Sequence, residues 1–319
     1  MREQGKTLDV TVRMNQVRTT RSARRSWQSL ASLSFCAIVV AAPSVSASDS
    51  GASTSREALE ASIARLEQAT QVWERSCHES DSTGLCVELV PVESSPSRCV
   101  SPRLGEVRVL SRKAKLADKA QRALDQAIDH AQSLAAPSDP ALQDAHRAAL
   151  ERAQLARADG DLERYLALRM PADLDFIVEE WKRDSQDAKD RKEYERQVTR
   201  RDRSQAAFKR YFDDKTSQSA ELLMAYARLR GPAAVEAAQR TAWVSLSFAD
   251  QLESAAVPSA MKSAEQRAAY CSALADHAEA PHRVARDAAT VCVEAADRLG
   301  VTNAATEACK VVLGVLPKP

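Results

Sequence analysis

The chain has 319 residues, 44% hydrophobic and 28% charged, with only 4% aromatic, 8 glycines and a formal net charge of +1. Ala, Leu, Arg, Glu and Gln dominate; these are strong helix formers, while the residues that favour strands are thin, so a β fold is excluded and an all-α protein is expected. The near-neutral balance gives no overall field that would draw the protein to nucleic acid.

Arg21, Arg24 and Arg25 precede the apolar run "WQSLASLSFCAIVVAAPSVSASDS". A basic region, a short apolar core and a small-x-small ending are the parts of a secretory signal peptide, with Val45 and Ala47 placing cleavage after residue 47. The apolar core is shorter than the roughly 20 residues a membrane span requires, so no span is expected in the mature chain. Cys36 as a lipidation site is opposed by bulky Phe35, Arg24-Arg25 is a loose match to a twin-arginine signal, and Met14 is an alternative start. Cleavage removes seven of 45 basic and two of 44 acidic groups, leaving 38 and 42 and a net charge of −4. The expected organisation is a signal peptide (1–47), a polar linker (48–56), a helix with a Cys-rich loop (57–105) and a helical-hairpin array (106–317).

In the first helix Leu59, Ile63, Leu66, Thr70 and Trp73 recur at spacings of four and three, which puts them on one face. Residues 77–105 then carry Pro, Ser and Gly and the strand-like run "CVELVPV". A connection of that length inside a compact domain needs something to tie it down. Helical period resumes at Val107 and continues through Leu110, Ala114, Ala117, Ala120, Leu124, Ala127, Ala131 and Leu134 to the turn at 137–140. "PALQDAHRAALERAQLARADG" follows, with Gly160 placed as a C-terminal cap, and "DLERYLALRMP" forms a short partner helix. One long helix or two in tandem are expected over 171–231, opened by Phe176, Ile177 and Trp181 and closed by aromatics between Phe208 and Tyr226. Pro232 starts the next helix, where its missing N–H costs nothing. Two further helices are expected to meet at Pro281, and a last one spans 304–316. Short connections make antiparallel neighbours, so the chain is read as stacked helical hairpins.

"ALERAQLARADGDLERYLAL" resembles a tetratricopeptide-type hairpin, with an Ala-rich first helix, a Gly turn and an aromatic-bearing second helix, although no 34-residue period recurs. The early C…C…C segment, "FADQLESAAVP" (248–258), "AYCSALADHAE" and a cysteine in each of the last two helices are similar to secreted tetratricopeptide-like helical proteins of myxobacteria and their relatives. That resemblance implies an exported helical-repeat protein of unassigned activity.

Of seven cysteines, six remain after cleavage: Cys77, Cys86 and Cys99 near one end, Cys271, Cys292 and Cys309 near the other. An even number in an exported chain points to three disulfides. Neither group of three can pair off internally, so an odd number of bridges must join the two groups. Cys292–Cys309 is the expected local bridge; the pairing of the first three is open. None of the gaps has zinc-ligand spacing, so no metal site is expected. The histidines (His78, His130, His146, His277, His282) form no i, i+4 pair. There is no phosphate loop, no nucleophile elbow and no H-E-x-x-H, so no catalytic residue or cofactor is assigned.

The charged stretch 182–203 holds nine basic and six acidic residues. Its first reading is a solvated helical segment; its second is a basic docking surface for an acidic partner, formed by Arg196, Arg200, Arg201, Arg203, Lys209 and Arg210. Together these features lead to a non-enzymatic exported scaffold that binds a protein or peptide partner in the cell envelope. A structural envelope spacer and an envelope enzyme with a site assembled across helices are the alternatives.

Overall fold

The computed structural model describes residues 56–77, 85–90, 97–100, 105–135, 139–172 and 174–316. The expected leader, almost all of the linker that follows it, and His78 lie outside these. The described chain is mostly helical, with seven α-helices: α1 (Arg56–Ser76), α2 (Ala114–Ser133), α3 (Pro140–Ala167), α4 (Ala188–Tyr226), α5 (Gly231–Glu253), α6 (Ala264–Leu299) and α7 (Ala304–Val315). A two-stranded antiparallel sheet, β1 (Val87–Val90) and β2 (Glu106–Val109), pairs Val87 with Val109. No described helix is long and apolar enough to cross a membrane.

The stripe expected for α1 is the buried one: Leu59, Leu66, Thr70 and Trp73 face inward. Leu66, Ala69 and Trp73 pack against mostly small residues on two other helices, Ala120, Leu124, Ala127 and Ala131 of α2 and Ala149, Ala153 and Ala156 of α3. Alanines on the facing surfaces let three backbones approach closely around Leu66 and Trp73. A second, larger core centres on α5, whose Val235, Ala242, Val244, Leu246, Phe248, Ala249 and Leu252 are essentially inaccessible. α5 is enclosed because it packs against α3, α4, α6 and α7.

Four expectations need correction. Gly160 does not end a helix: α3 runs through it without a break, so the tetratricopeptide-type hairpin expected over 149–168 is a single helix. A Cβ at position 160 would lie 3.0 Å from the Trp73 ring and 3.1 Å from Gln121 Oε1. The glycine is therefore a notch for the indole, and the helix tolerates its cost of about 1 kcal/mol relative to Ala. Pro281 likewise interrupts nothing, since α6 is one helix of 36 residues with the proline buried inside it. A proline there forfeits one backbone bond at a cost of about 3 kcal/mol. Strong ends and a long buried stripe offset that loss. Ser263 and Gln266 form a reciprocal capping box, Gly300 closes the helix at φ 63°, and the stripe runs from Tyr270 to Ala296.

The helix expected from Val107 begins seven residues later. "EVRV" alternates with period two and pairs with "VELV", placing Val87 and Val107 in the core. Residues 174–179 are not helical either, and only a 3₁₀ turn forms at Glu180–Lys182 before Asp187 caps α4 through Lys189 N at 2.7 Å. Polar side chains of α4 hold this segment in an extended form: Ser204 Oγ accepts from Asp175 N at 2.8 Å, and buried Gln197 bonds both the backbone and the carboxylate of Glu179 at 2.8 Å. Trp181, expected as an anchor, is 63% exposed.

Candidate functional site

The six cysteines form three bridges: Cys77–Cys86, Cys99–Cys271 and Cys292–Cys309, with Cα separations of 5.6, 5.3 and 6.4 Å. All lie within the span a disulfide requires. One bridge joins the two groups, as the odd count demands, and Cys292–Cys309 is the local one between α6 and α7.

Each bridge at the N-terminal end is backed by further bonds. Arg112, beside Cys77 in an isolated β-bridge, donates to both Glu163 oxygens at 2.6 and 2.5 Å, to Trp73 O and to Ser76 Oγ. Its guanidinium lies 3.8 Å from the Trp73 ring centre, and Glu163 also accepts from Cys86 N at 3.0 Å. Glu163 belongs to α3, so a buried ion pair fastens the Cys77–Cys86 segment to the helices. At the second bridge, residues 97–100 run antiparallel along 253–257, with an isolated β-bridge between Arg98 and Ala256. Cys99 N donates to Ala255 O at 3.1 Å, Val100 N to Glu253 O at 3.2 Å, and Val257 N to Ser97 O at 2.8 Å.

Beside this stapled segment is a cleft of about 250 Å³. Its apolar wall is Leu174, Trp243 and Tyr270, all buried. Arg98 and Arg169 border it from the stapled segment and from just beyond α3, and Asp250, Gln251 and Ser254 come from the C-terminal end of α5. Gln251 Oε1 accepts from the Tyr211 hydroxyl at 3.0 Å, while its buried Nε2 has no hydrogen-bond partner among the described residues. Burial raises the Tyr270 hydroxyl to about 12, so it stays a donor at neutral pH.

The expected basic surface is largely neutralised from within. Arg196 pairs with Glu193; Arg200 reaches both Glu193 and Asp175 at 3.2 and 3.4 Å; Arg201 holds Asp202 at 2.9 Å; Lys209 pairs with Asp213. Arg203 and Arg210, two turns apart on α4 and exposed, have no ion pair among the described residues. Phe208 and Phe212 are half-buried and pack on each other, with Phe212 lying 5.4 Å from buried Phe248 and 5.8 Å from the His277 ring.

Three buried polar features escape sequence reasoning. Asp159 of α3 pairs with Arg240 of α5 at 3.2 Å and accepts from the Tyr226 hydroxyl at 3.2 Å, a pair enclosed in the core. Lys215 is fully buried; its Nζ donates to Tyr165 O at 2.7 Å and lies 3.9 Å from the Tyr165 ring centre. Burial, aided by repulsion from Arg169, lowers that amine to about 7. A lysine near neutrality is suited to base chemistry, but this one is sealed inside the core and does not border the cleft. Third, the unbroken α6 brings His282 to the end of α5: its Nε2 lies 3.5 Å from Glu253 Oε2, and Asp250 joins the cluster. The expected break at Pro281 hides this arrangement in the sequence. Of the other histidines, His146 bonds Ser62 Oγ at 3.2 Å.

Searches of family models, of characterised proteins and of solved structures find no match to the chain.

Proposed function

We propose that the chain is a non-enzymatic exported scaffold, locked by its three disulfides, that holds a peptide partner in the cell envelope. Disulfides persist in oxidising compartments, which supports export. A tetratricopeptide-like array is part of this proposal, supported by the packing of neighbours α1 with α2, α5 with α6 and α6 with α7 and not by a sequence repeat.

The observation that carries the reading is the cleft beside the Cys99–Cys271 bridge. It combines an apolar wall of Leu174, Trp243 and Tyr270 with donors from Arg98, Arg169 and Gln251. Such a mixture suits an extended peptide that buries one apolar side chain and presents a carboxylate to the arginines. Segment 97–100 is fixed covalently and by backbone bonds, so the arginine on it is preorganised, which lowers the entropic cost of binding. The α4 surface contributes at most Arg203 and Arg210.

Affinity capture from envelope extract with the mature chain, compared with Arg98→Glu, tests this. A peptide-bearing partner retained by the parent and lost by the variant is the expected outcome. A partner retained equally by both moves recognition away from the cleft, and turnover of a small substrate there would favour the enzyme alternative.

A further inference from the structure

We propose that the Cys99–Cys271 bridge is a site of thiol–disulfide exchange with an external dithiol, and that it acts as a releasable clasp on one wall of the cleft. The three bridges differ in access. Cys86, Cys292 and Cys309 are wholly enclosed and Cys77 is buried, whereas Cys99 and Cys271 are both partly exposed. Exchange begins with attack of a thiolate on a disulfide sulfur, so the accessible bridge is the one that reacts first. The surroundings favour the same bond. Ser97 and Val100 near Cys99 are exposed, and so are Ala268 and Ala275, small neighbours of Cys271 on the α6 surface. Arg267, one turn earlier, is drawn toward the start of α6 by its bond to Met261 O at 3.1 Å. By contrast, the Cys77–Cys86 bridge is backed by the Arg112–Glu163 ion pair, and Cys292–Cys309 is enclosed between α6 and α7.

The position of this bridge gives its exchange a consequence. Arg98, next to Cys99, and Tyr270, next to Cys271, both line the cleft, so the S–S bond ties its cationic border to its aromatic wall. With the bond cut, the three backbone hydrogen bonds between 97–100 and 253–257 lose their covalent support. In the reaction, one thiol of the dithiol forms a mixed disulfide with one bridge sulfur, while the other bridge sulfur leaves as a thiolate and takes up a proton. The second thiol then displaces the first bridge sulfur. The bridge gains two electrons and two protons, Cys99 and Cys271 end as thiols, and the dithiol ends as a disulfide. In an oxidising compartment the bridged form is the resting one, and the reverse exchange with the partner's disulfide re-forms it. The exchange site does not rest on the peptide reading: it needs only an accessible bridge, and no peptide enters its test.

The test exposes the disulfide-intact mature chain to dithiothreitol in mild alkali without denaturant, quenches samples over time with iodoacetamide, and maps the alkylated cysteines by mass spectrometry. Alkylation should appear on Cys99 and Cys271 together, faster by about tenfold or more than on the other four cysteines. In the chain with only that bridge cut, hydrogen–deuterium exchange should rise in peptides covering 97–100 and 253–257, while the α5 core at 235–249 keeps its protection. Loss of all three bridges at one rate, or of Cys77–Cys86 or Cys292–Cys309 first, overturns the exchange site. Unchanged protection at 97–100 and 253–257 after selective cleavage overturns the clasp.

Discussion

Lys215→Met should stabilise the protein near neutral pH and leave it almost unchanged in mild alkali. The amine is fully enclosed, and burial lowers it from 10.5 to about 7. Between these values the unfolded chain binds more protons than the folded one, so stability rises with pH across this window. Below about pH 7 both states are protonated and the full penalty is present. At about 1.4 kcal/mol per pH unit, the climb from pH 7 to pH 9.5 is worth at most about 3 kcal/mol, less whatever water penetration relieves. Methionine fills similar space without the charge. The Tyr165 carbonyl that accepts from Lys215 also accepts from Leu168 N at 3.2 Å, so it is not orphaned. Urea unfolding followed by circular dichroism, near pH 7, 8 and 9.5, should show a rising curve for the parent and a flat one for the variant. Parallel curves for the two proteins would refute the assignment of the pH dependence to this amine. The window stops there because Tyr165, Tyr211, Tyr226 and Tyr270 are all raised by burial. Their folded forms keep protons that the unfolded chain sheds, so stability falls as pH rises beyond about 10.

Other outcomes follow from the same structure. The Cys99–Cys271 bridge spans 172 residues and Cys292–Cys309 spans 17, so in the chain-entropy model their removal costs about 5 and about 3 kcal/mol, and non-reducing urea titrations of the two double alanine variants should keep that order. Gly160→Leu drives a side chain into the Trp73 ring and should destabilise by about 1–3 kcal/mol, read as a lower urea midpoint with an unchanged slope. Arg203→Glu with Arg210→Glu should alter partner capture more than Arg201→Glu does, because Arg201 is already matched by Asp202; equal effects would show that pairing on α4 is irrelevant to docking.

Composition and period three-to-four spacing made the helical class legible, together with the inward face of α1 and the limits of α7. Cysteine parity made at least one long-range bridge legible before any geometry was known, and the structure shows one, Cys99–Cys271. Local rules failed where tertiary contacts outweighed them. Gly160 and Pro281 carry the chemistry of helix ends, yet a tryptophan that needs a notch and a long buried stripe on α6 override both. The extended segment after Pro171 depends on Ser204 and Gln197, some 20–30 residues away, and no local pattern announces that. The cleft and the Asp250–Glu253–His282 cluster were invisible for the same reason: His282 meets Glu253 only if α6 is continuous. The charged stretch was legible as a solvated helical segment, but not the pairing of Arg196 and Arg200 with Glu193, of Arg200 with Asp175 and of Arg201 with Asp202, which depends on side-chain placement and on the fold of the segment before α4.

The most direct test of the whole account is non-reducing peptide mapping by mass spectrometry of the chain recovered from the cell envelope. A first peptide beginning at Ser48, with linked pairs that include Cys99 joined to Cys271, is the predicted result. Recovery of peptides from residues 1–47, or of Cys99 and Cys271 as separately alkylated thiols, would contradict it.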